Sequence, residues 1–430
     1  MDSGLSERMD KTLQELLPKA AAAVATPKNY DPSTAIDLSS AHNAVIRDEL
    51  QEFFKTTVED RLTVDAFDLP DTIGGDVALR QALTSFLNSY FNPIHALTHE
   101  HIVLTAGASD ALENLVYAVC NDGDSVIVPG PFWYYLDGFE GILKSRPGVN
   151  IIAAHPPTYQ NHDNYLIPSL QAAYDFSADK SRIKAVIICN PHNPLSQCYP
   201  KKTLVECMEF CQERGLHLIS DELYALASLK GTSNNGTPFV SALSLTEPLV
   251  PSGAVKVDPS RVHVIWSPSK LFGSSGFRVG CVISQSNPQL RQALSLLTYC
   301  HTNNIASLYL TSLLSWSQLP TLLALNSERL SESYRVLAEA LQRWDVDFVP
   351  PTHGIFLFAR LAKKAKTVEE EMSFFNRLAA HGIRVSPGRF YNGVDPELAQ
   401  LGWARIRFSI PVNDMSAAVA HISSFLAKEL

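Results

Sequence analysis

The stretch Ser267–Gly280, SPSKLFGSSGFRVG, follows an apolar run, Val262–Trp266, that has the length and composition of a buried strand. Hydroxyl side chains precede its lysine, Lys270, and Arg278 follows eight residues later. An amine can condense with an aldehyde, and hydroxyls with a guanidinium can hold a phosphate through charge-assisted hydrogen bonds. The stretch therefore predicts a site for a phosphorylated aldehyde, although an exposed serine-rich turn with an ordinary lysine would read the same.

Short apolar strands alternate with helices on both sides of this stretch. Strands are predicted at Ile102–Thr105, Ser125–Pro129, Ile183–Cys189, Leu216–Ser220, Val262–Trp266 and Val279–Ile283. Helices are predicted at Leu79–Tyr90, Ser109–Val119 and Leu204–Arg214. This alternation is typical of an α/β fold with a mostly parallel central sheet that helices cover on both faces.

The pattern changes in the last third of the chain. From Asn287 to about Trp344 it is largely helical, with an interruption near Pro320, and strands return at Thr352–Ala359 and Ala404–Ser409. We therefore expect a large domain and a smaller α/β domain. The predicted boundaries are 1–60 for an N-terminal segment that joins the small domain, 61–315 for the large domain and 316–430 for the C-terminal small domain.

Composition limits the classes of function. A chain of 430 residues with 46% hydrophobic residues can bury a large core. A net charge of −9 argues against nucleic acid as a partner, and no apolar run approaches the roughly 20 residues that span a bilayer. The polar N-terminus predicts no secretory signal, and seven scattered cysteines indicate reduced thiols in a cytoplasmic protein. The cluster of His95, His99 and His101 reads as surface or structural, and we predict no metal site.

Two more motifs follow predicted strands, and ligands bind at such ends in open α/β sheets. Asp221, at the start of Asp221-Glu-Leu-Tyr224, would be costly to bury without a cation such as a protonated pyridine. Asn193 lies in Asn190-Pro-His-Asn-Pro194, a turn that can present its amide to a ring oxygen. A helix cap with a core tyrosine and a plain turn are the alternatives.

The helix that starts near Ser109 follows a turn of small residues, Thr105–Ala108. Free amides at such a helix start bind phosphate, and the Ser109 hydroxyl can add to them, but a capped helix needs no ligand. Trp133 comes just after the strand that ends at Pro129. Its ring can stack on a planar cofactor or pack in the core.

The order and spacing of these motifs resemble class I/II aminotransferases of the pyridoxal 5′-phosphate (PLP) fold type I, and in particular 1-aminocyclopropane-1-carboxylate synthases. The resemblance extends from Ile36 to Ser409. It includes the lysine stretch together with ISDELYA (Ile219–Ala225), NPHNPL (Asn190–Leu195) and GWARIRF (Gly402–Phe408).

The resemblance implies PLP as the cofactor and Lys270 as its Schiff-base lysine and the proton shuttle at the substrate Cα. Asp221 would pair with the pyridine nitrogen, and Trp133 would stack on the ring. Asn193 and Tyr224 would contact the ring hydroxyl. The phosphate would be held by Ala108, Ser109, Ser267, Ser269 and Arg278.

The resemblance also implies that Arg405 binds the substrate α-carboxylate. Arg407 lies two residues further on and faces the same side of that strand, so spacing alone leaves both open. Arg405 matches the family position after Gly-Trp. A homodimer with the site at its interface is implied as well.

Departures from the synthase pattern concern the substrate. His42, in Ser40-Ala-His42-Asn43, replaces the glutamate associated with the synthase substrate, which makes it a candidate substrate-binding residue. The tyrosine expected before Gly74-Gly75 from the partner subunit is absent, and Phe67 or Ile73 stands near its place. Ser196 replaces the usual glycine after Asn-Pro-Leu, and Leu271 the aspartate after the lysine.

We therefore predict a PLP-dependent enzyme that acts at Cα of an amino acid, in the first place an aminotransferase, because transamination is the commonest outcome in this fold. The alternative is a lyase that expels a β- or γ-leaving group, either a carbon–sulfur lyase or an enzyme like the synthases. A PLP-sensing regulatory protein is a third reading. The acidic chain and the short segment before Ile36 argue against it.

Overall fold

The computed structural model describes residues 4–24, 35–57, 61–70, 72–133, 139–230, 236–245, 257–391 and 401–429. Its strands are short, and most of them are buried. In chain order they are β1 (Ile36–Asp37), β2 (Ile102–Thr105), β3 (Ser125–Pro129), β4 (Asn150–Ala154), β5 (Ile183–Cys189), β6 (His217–Asp221), β7 (Val262–Trp266), β8 (Gly280–Ile283), β9 (Phe348–Val349), β10 (Phe356–Ala359), β11 (Ile383–Arg384), β12 (Ser386–Pro387) and β13 (Ala404–Arg407).

Seven of these strands form the main sheet, in the order β2-β8-β7-β6-β5-β3-β4. All neighbouring pairs from β7 to β4 are parallel, whereas β8 runs antiparallel to both β7 and β2. The prediction of a mostly parallel sheet is therefore confirmed. Because β8 is reversed, its first residue lies at the same edge as the last residues of the other strands.

Helices cover the sheet and form much of the remaining structure. They are α1 (Glu7–Val24), α2 (Arg47–Thr57), α3 (Val77–Tyr90), α4 (Ala108–Val119), α5 (Phe139–Ser145), α6 (His162–Asp175), α7 (Lys201–Glu213), α8 (Pro268–Leu271), α9 (Pro288–Leu297), α10 (Asn304–Leu314), α11 (Leu319–Arg343), α12 (Val368–Ala380) and α13 (Val412–Glu429).

Alternate residues of the strands enter two separate apolar cores. In β5, Ala185 and Ile187 pack with α4, α5 and α9, whereas Val186 and Ile188 pack with α3, α6 and α7. This is the period-2 alternation of a sheet buried on both faces. It explains why the strand sequences are nearly continuous apolar runs.

Two smaller sheets lie outside the main one. Strands β12, β13, β10 and β9 form an antiparallel sheet, and β1 pairs in parallel with β11. The pairing joins Ile36 to Ile383, so the N-terminal segment contacts the C-terminal part of the chain. The prediction that the N-terminal segment joins the small domain requires this contact.

Several elements differ from the sequence expectations. Strand β4, at the sheet edge, was not predicted, because Asn150 and two alanines give it little strand propensity. Helix α6 was not predicted either, since Pro168 lies inside it. The predicted strand Thr352–Ala359 begins only at Phe356. The interruption near Pro320 is confirmed, because α10 ends at Leu314 and the next helix begins at Leu319, with Pro320 in its first turn.

Two kinds of feature are absent from the part of the chain that the structure describes. None of its helices is both long and apolar enough to cross a membrane. No group of three or more His, Cys, Asp or Glu side chains there is arranged to hold a metal ion. All seven cysteines are free thiols, and six of them are buried.

Candidate active site

A cavity of about 540 Å³ lies at the edge of the main sheet where the parallel strands end. Residues of α8, α4 and β13 share its wall with the turn after β5. Nearly all the predicted site residues line it. They are His42, Ala108, Ser109, Trp133, Asn193, Asp221, Tyr224, Ser269, Lys270, Arg278 and Arg405.

Lys270 reaches the cavity from α8, the short helix directly after β7. Ser267 caps this helix, since its Oγ accepts a hydrogen bond from the Ser269 backbone N–H at 3.2 Å. The Ser267 hydroxyl lies 2.7 Å from the Val279 carbonyl, and the residue is fully buried and is not part of the cavity wall. The structure thus places Ser267 behind the wall, where it fixes the turn that carries the lysine. Lys270 Nζ donates to the Ala41 carbonyl at 2.9 Å.

A glycine cradle forms one end of the cavity. Gly107 has a φ of +95°, and a Cβ there would lie 2.5 Å from Nη2 of Arg278. A Cβ on Gly280 would lie 2.8 Å from the amide nitrogen of Ala108. Only glycine at both positions lets the arginine and strand β8 approach the start of α4 this closely.

Hydrogen-bond donors converge on this cradle. Gly107 is the N-cap of α4 and offers no capping side chain, so the first amides of the helix point outward. Arg278 is held by the carbonyls of Ser275 and Ala106, at 3.1 and 2.5 Å. Amides at a helix start together with a guanidinium form a site for a phosphate dianion.

Asp221 is the last residue of β6 and pairs with Cys189 of β5 and Ile265 of β7. Burial raises the pKa of its carboxyl to about 6, although a hydrogen bond from the Leu223 N–H and the charge of Lys270 act in the opposite direction. Burial therefore outweighs both contributions, and a closer cation would favour the charged form. A protonated ring nitrogen bound in the cavity would supply one.

Arg405 lies on β13, on the opposite wall, and is 5% exposed. Its Nη1 donates to Oδ1 of Asn193 at 3.0 Å, and its Nη2 donates to the Ser39 carbonyl at 2.7 Å. The guanidinium also packs over the ring of Phe356, 4.5 Å from the centroid. Its Nε is buried without a hydrogen-bond partner among the described residues. This is a rigid, incompletely satisfied cation, suited to a carboxylate ligand.

Tyr224 is buried close to this arginine. Burial raises the pKa of its phenol well above the ordinary value, with Arg405 acting in the opposite direction. The phenol therefore stays protonated and can donate a hydrogen bond to a ring oxygen.

The structure separates Arg405 from Arg407, which spacing alone could not do. Arg407 donates to the backbone carbonyls of Asp37 (2.5 Å) and His42 (3.3 Å) and is not a lining residue of the cavity. Its side chain therefore fixes the segment from Asp37 to His42, part of which lines the cavity. Arg405 alone of the two faces the cavity.

The groups at this edge of the sheet suit PLP. Asn193 follows β5, Asp221 and Tyr224 follow β6, Lys270 follows β7, and the cradle with its guanidinium lies where β8 meets the start of α4. PLP has a ring hydroxyl, a pyridine nitrogen, an aldehyde and a phosphate, and the cavity offers an amide and a phenol, a carboxylate, an amine and the cradle for them.

Several lining residues were missed by reading the sequence. Ser275 lies within the lysine stretch, and its position three residues before Arg278 was the available signal. Met372 and Phe375 of α12 and Arg384 of β11 also line the cavity. No rule about strand ends could have found them, because they depend on how the smaller sheet packs over the main one.

The chain is similar to known proteins over nearly its whole length. The sequence model of the aminotransferase class I and II family matches residues 38–422. A relative from Aspergillus oryzae, named probable aminotransferase aclI, is 35% identical over 431 residues, with 99% of both chains covered. The 1-aminocyclopropane-1-carboxylate synthase 7 of Arabidopsis thaliana is 27% identical over 93% of this chain and 88% of its own.

A solved structure of similar fold is the aromatic aminotransferase from Pyrococcus horikoshii. Its TM-score is 0.75 at 18% identity, with 98% of this chain and 99% of that chain covered. At this identity the likeness concerns the fold alone. The family match over nearly the whole chain identifies the protein further: it belongs to the class I and II aminotransferase family.

Proposed function

We propose that the protein binds PLP at Lys270 and acts at Cα of an amino acid. The observation that carries this proposal is the convergence of Lys270, Asp221 and Arg405 on one cavity, with the glycine cradle at its end. A surface lysine in a serine-rich turn would not face a buried acid with a raised pKa. The cofactor, when bound, supplies an electron sink for the carbanion at Cα.

Each residue then has a role that its surroundings support. Asp221 would keep the ring nitrogen protonated, and Asn193 and Tyr224 would hold the ring oxygen. Arg405, fixed by Asn193 and Ser39, would orient the α-carboxylate so that the Cα proton points at the amine. Lys270 would remove that proton and return it.

Transamination is our first candidate for the net reaction. The relative from Aspergillus oryzae, aligned over 99% of both chains, is named a probable aminotransferase. For this reaction Lys270 would take the Cα proton and give it up again, and no further acid or base would be required.

Elimination of a side-chain leaving group is the second candidate, and His42 is the observation that favours it. His42 lines the cavity, and Ala41, the residue before it, accepts a hydrogen bond from Lys270. A second titratable group next to the amine has a use where a bond in the substrate side chain breaks. A synthase, whose chemistry is not transamination, is also among the relatives.

A visible spectrum of the purified protein tests the proposal. We expect an absorbance band of a lysine-bound PLP that Lys270→Ala abolishes. An amino acid without a keto-acid acceptor should then accumulate pyridoxamine phosphate if the protein is a transaminase. Release of ammonia and a keto acid under the same conditions would indicate elimination. Native protein that binds no PLP would refute the whole proposal.

A homodimer is part of the same proposal, and an exposed apolar patch supports it. Val64 and Phe67 are each 77% exposed, and Leu69 is 57% exposed. The short helix Val64–Phe67 packs on α10, whose first residue, Asn304, donates to the Asp68 carbonyl. A second copy of the chain would bury this patch. Phe67→Glu should shift the sedimentation from dimer to monomer, and Phe176→Glu, an exposed phenylalanine elsewhere, should not.

The predicted domain boundaries and a cytoplasmic location belong to the proposal too. The pairing of β1 with β11 supports an N-terminal segment that joins the small domain. Seven free cysteines support a reducing compartment.

A further inference from the structure

His42 lies directly beside the amine that carries the proposed chemistry. Lys270 Nζ donates to the carbonyl of Ala41, the residue just before it, and both His42 and Lys270 line the cavity. The charge of Lys270 also acts on the His42 imidazole, so the two groups lie near each other in the cavity wall. More than a third of the His42 surface is exposed, which leaves the imidazole accessible to a ligand at the mouth.

The backbone around His42 is fixed on both sides. Its carbonyl accepts hydrogen bonds from Ser409 Oγ at 2.7 Å and from Arg407 Nη1 at 3.3 Å. The next residue, Asn43, is fully buried and donates to the Leu271 carbonyl at 2.8 Å. Leu271 follows Lys270 directly, so this bond ties the His42 segment to the lysine turn. The backbone that carries the imidazole is thereby held in place relative to the lysine turn.

The charges around His42 favour its neutral form. Lys270 from α8, Arg407 from β13 and Arg47 from α2 face it, and Asp37 from β1 is the opposing anion. Partial burial and the three cations lower the pKa of His42 below its ordinary value of 6.5. A neutral imidazole carries one N–H donor and one acceptor nitrogen, and can therefore accept a proton on one side and donate one on the other.

We propose that His42 relays a proton from Lys270 to a leaving group on the substrate β-carbon, which deepens the elimination candidate and rests on it. Lys270 takes the Cα proton, and the electrons of that bond form the Cα–Cβ double bond. The bond from Cβ to the leaving heteroatom breaks, and the heteroatom departs with the electron pair. One His42 nitrogen protonates the heteroatom while the other receives the proton from Lys270, so the imidazole stays neutral and ends as its other tautomer.

The relay specifies a class of substrate. A departing thiolate or alkoxide is basic and leaves readily only when it is protonated, whereas chloride leaves without a proton. General acid assistance of this kind contributes about 10²–10⁴-fold in rate. The structure therefore points to amino acids with a thioether or ether at Cβ.

Two substrates that differ in this requirement test the relay. Wild type, His42→Gln and a control variant of an exposed histidine outside the cavity, His95→Gln, are compared on S-benzylcysteine and β-chloroalanine. We expect His42→Gln to lose at least about 10²-fold in pyruvate release from S-benzylcysteine and less than about threefold from β-chloroalanine. His95→Gln should match wild type on both.

The outcomes separate the relay from the proposed function. Equal losses on the two substrates, or none, would overturn the relay while leaving the PLP chemistry standing. Wild type that converts both substrates by transamination only would also overturn it. Wild type with no PLP absorbance would overturn the function itself.

A second measurement does not depend on turnover. In cofactor-free protein, Lys270→Met removes one of the three cations near His42, so the pKa of His42 should rise toward 6.5. Histidine NMR titration measures this, with His42→Gln to assign the signal. An unchanged His42 titration would contradict the adjacency on which the relay depends.

Discussion

Replacing Asp221 with asparagine removes a buried negative charge and keeps the shape of the side chain. The hydrogen bond from the Leu223 N–H can still be accepted by the amide oxygen. Burial raises the pKa of this carboxyl from 3.8 to about 6, so folding disfavours its charged form. At about 1.36 kcal/mol per pKa unit, the difference corresponds to about 3 kcal/mol.

The size of this effect depends on pH. Because the pKa in the folded protein lies above the unfolded value, the free-energy cost of keeping Asp221 charged in the folded protein is absent below pH 3.8. It is complete above about pH 6. We expect Asp221→Asn to stabilise the cofactor-free protein by up to about 3 kcal/mol at pH 8 and by about 1.6 kcal/mol at pH 5. These values are upper limits, since one side of the carboxyl faces the cavity and keeps some hydration.

Urea unfolding of the cofactor-free protein at both pH values measures the effect. The matched control is Asp175→Asn, an exposed aspartate that should change the free energy of unfolding by less than about 0.5 kcal/mol. With PLP present, wild type should gain more stability than the variant, because only the carboxylate pairs with a ring cation. A cofactor-free variant that is no more stable than wild type at pH 8 would refute the reasoning.

Further substitutions test other parts of the site. Gly107→Ala should displace Arg278 and weaken PLP binding at least tenfold, measured by absorbance after dialysis, since its Cβ would lie 2.5 Å from the guanidinium. Arg405→Lys loses the paired donors and should raise the KM for the amino acid by about 10–100-fold, whereas Arg407→Lys should change it less, because Arg407 does not line the cavity. Glu222→Gln should cost less than about 1 kcal/mol in thermal unfolding, but Glu222→Leu about 2–5 kcal/mol, because it leaves buried polar partners unpaired.

The main sheet could be predicted from the sequence because its strands are buried on both faces. The predicted bounds of Ile102–Thr105, Ser125–Pro129, Ile183–Cys189 and Val262–Trp266 are those that the structure has. Such runs are mostly apolar and end where the chain meets the ligand edge. For the same reason the amino-acid sequence alone predicts Asp221 and Lys270 at strand ends, and the structure shows that the two strands are neighbours.

The rest of the site depends on contacts that are distant in sequence. Ser267 was predicted as a phosphate ligand, yet its hydroxyl lies at the Val279 carbonyl behind the wall. A hydroxyl next to a lysine can face a ligand or cap a helix, and spacing does not distinguish these. Arg384 reaches the cavity mouth only because β11 pairs with β1. A pairing of two-residue strands leaves no signal in local sequence.

The neighbouring acids Asp221 and Glu222 show how the structure distinguishes a structural group from a ligand-binding one. Burial raises the pKa of both, to about 6 and about 8. Glu222 has its partners within the protein, since Ser220, Ser241 and the Ala242 N–H all bond to its carboxyl.

Asp221 accepts one backbone N–H, from Leu223, and faces the cavity. Two adjacent carboxyls with the same chemistry therefore differ in whether the chain itself supplies their partners. For Glu222 nothing is missing, and its protonated form is stable in place. For Asp221 the missing interaction is a cation from outside the chain. The cost of keeping this carboxyl charged in the empty protein is the physical reason to assign it to a cofactor.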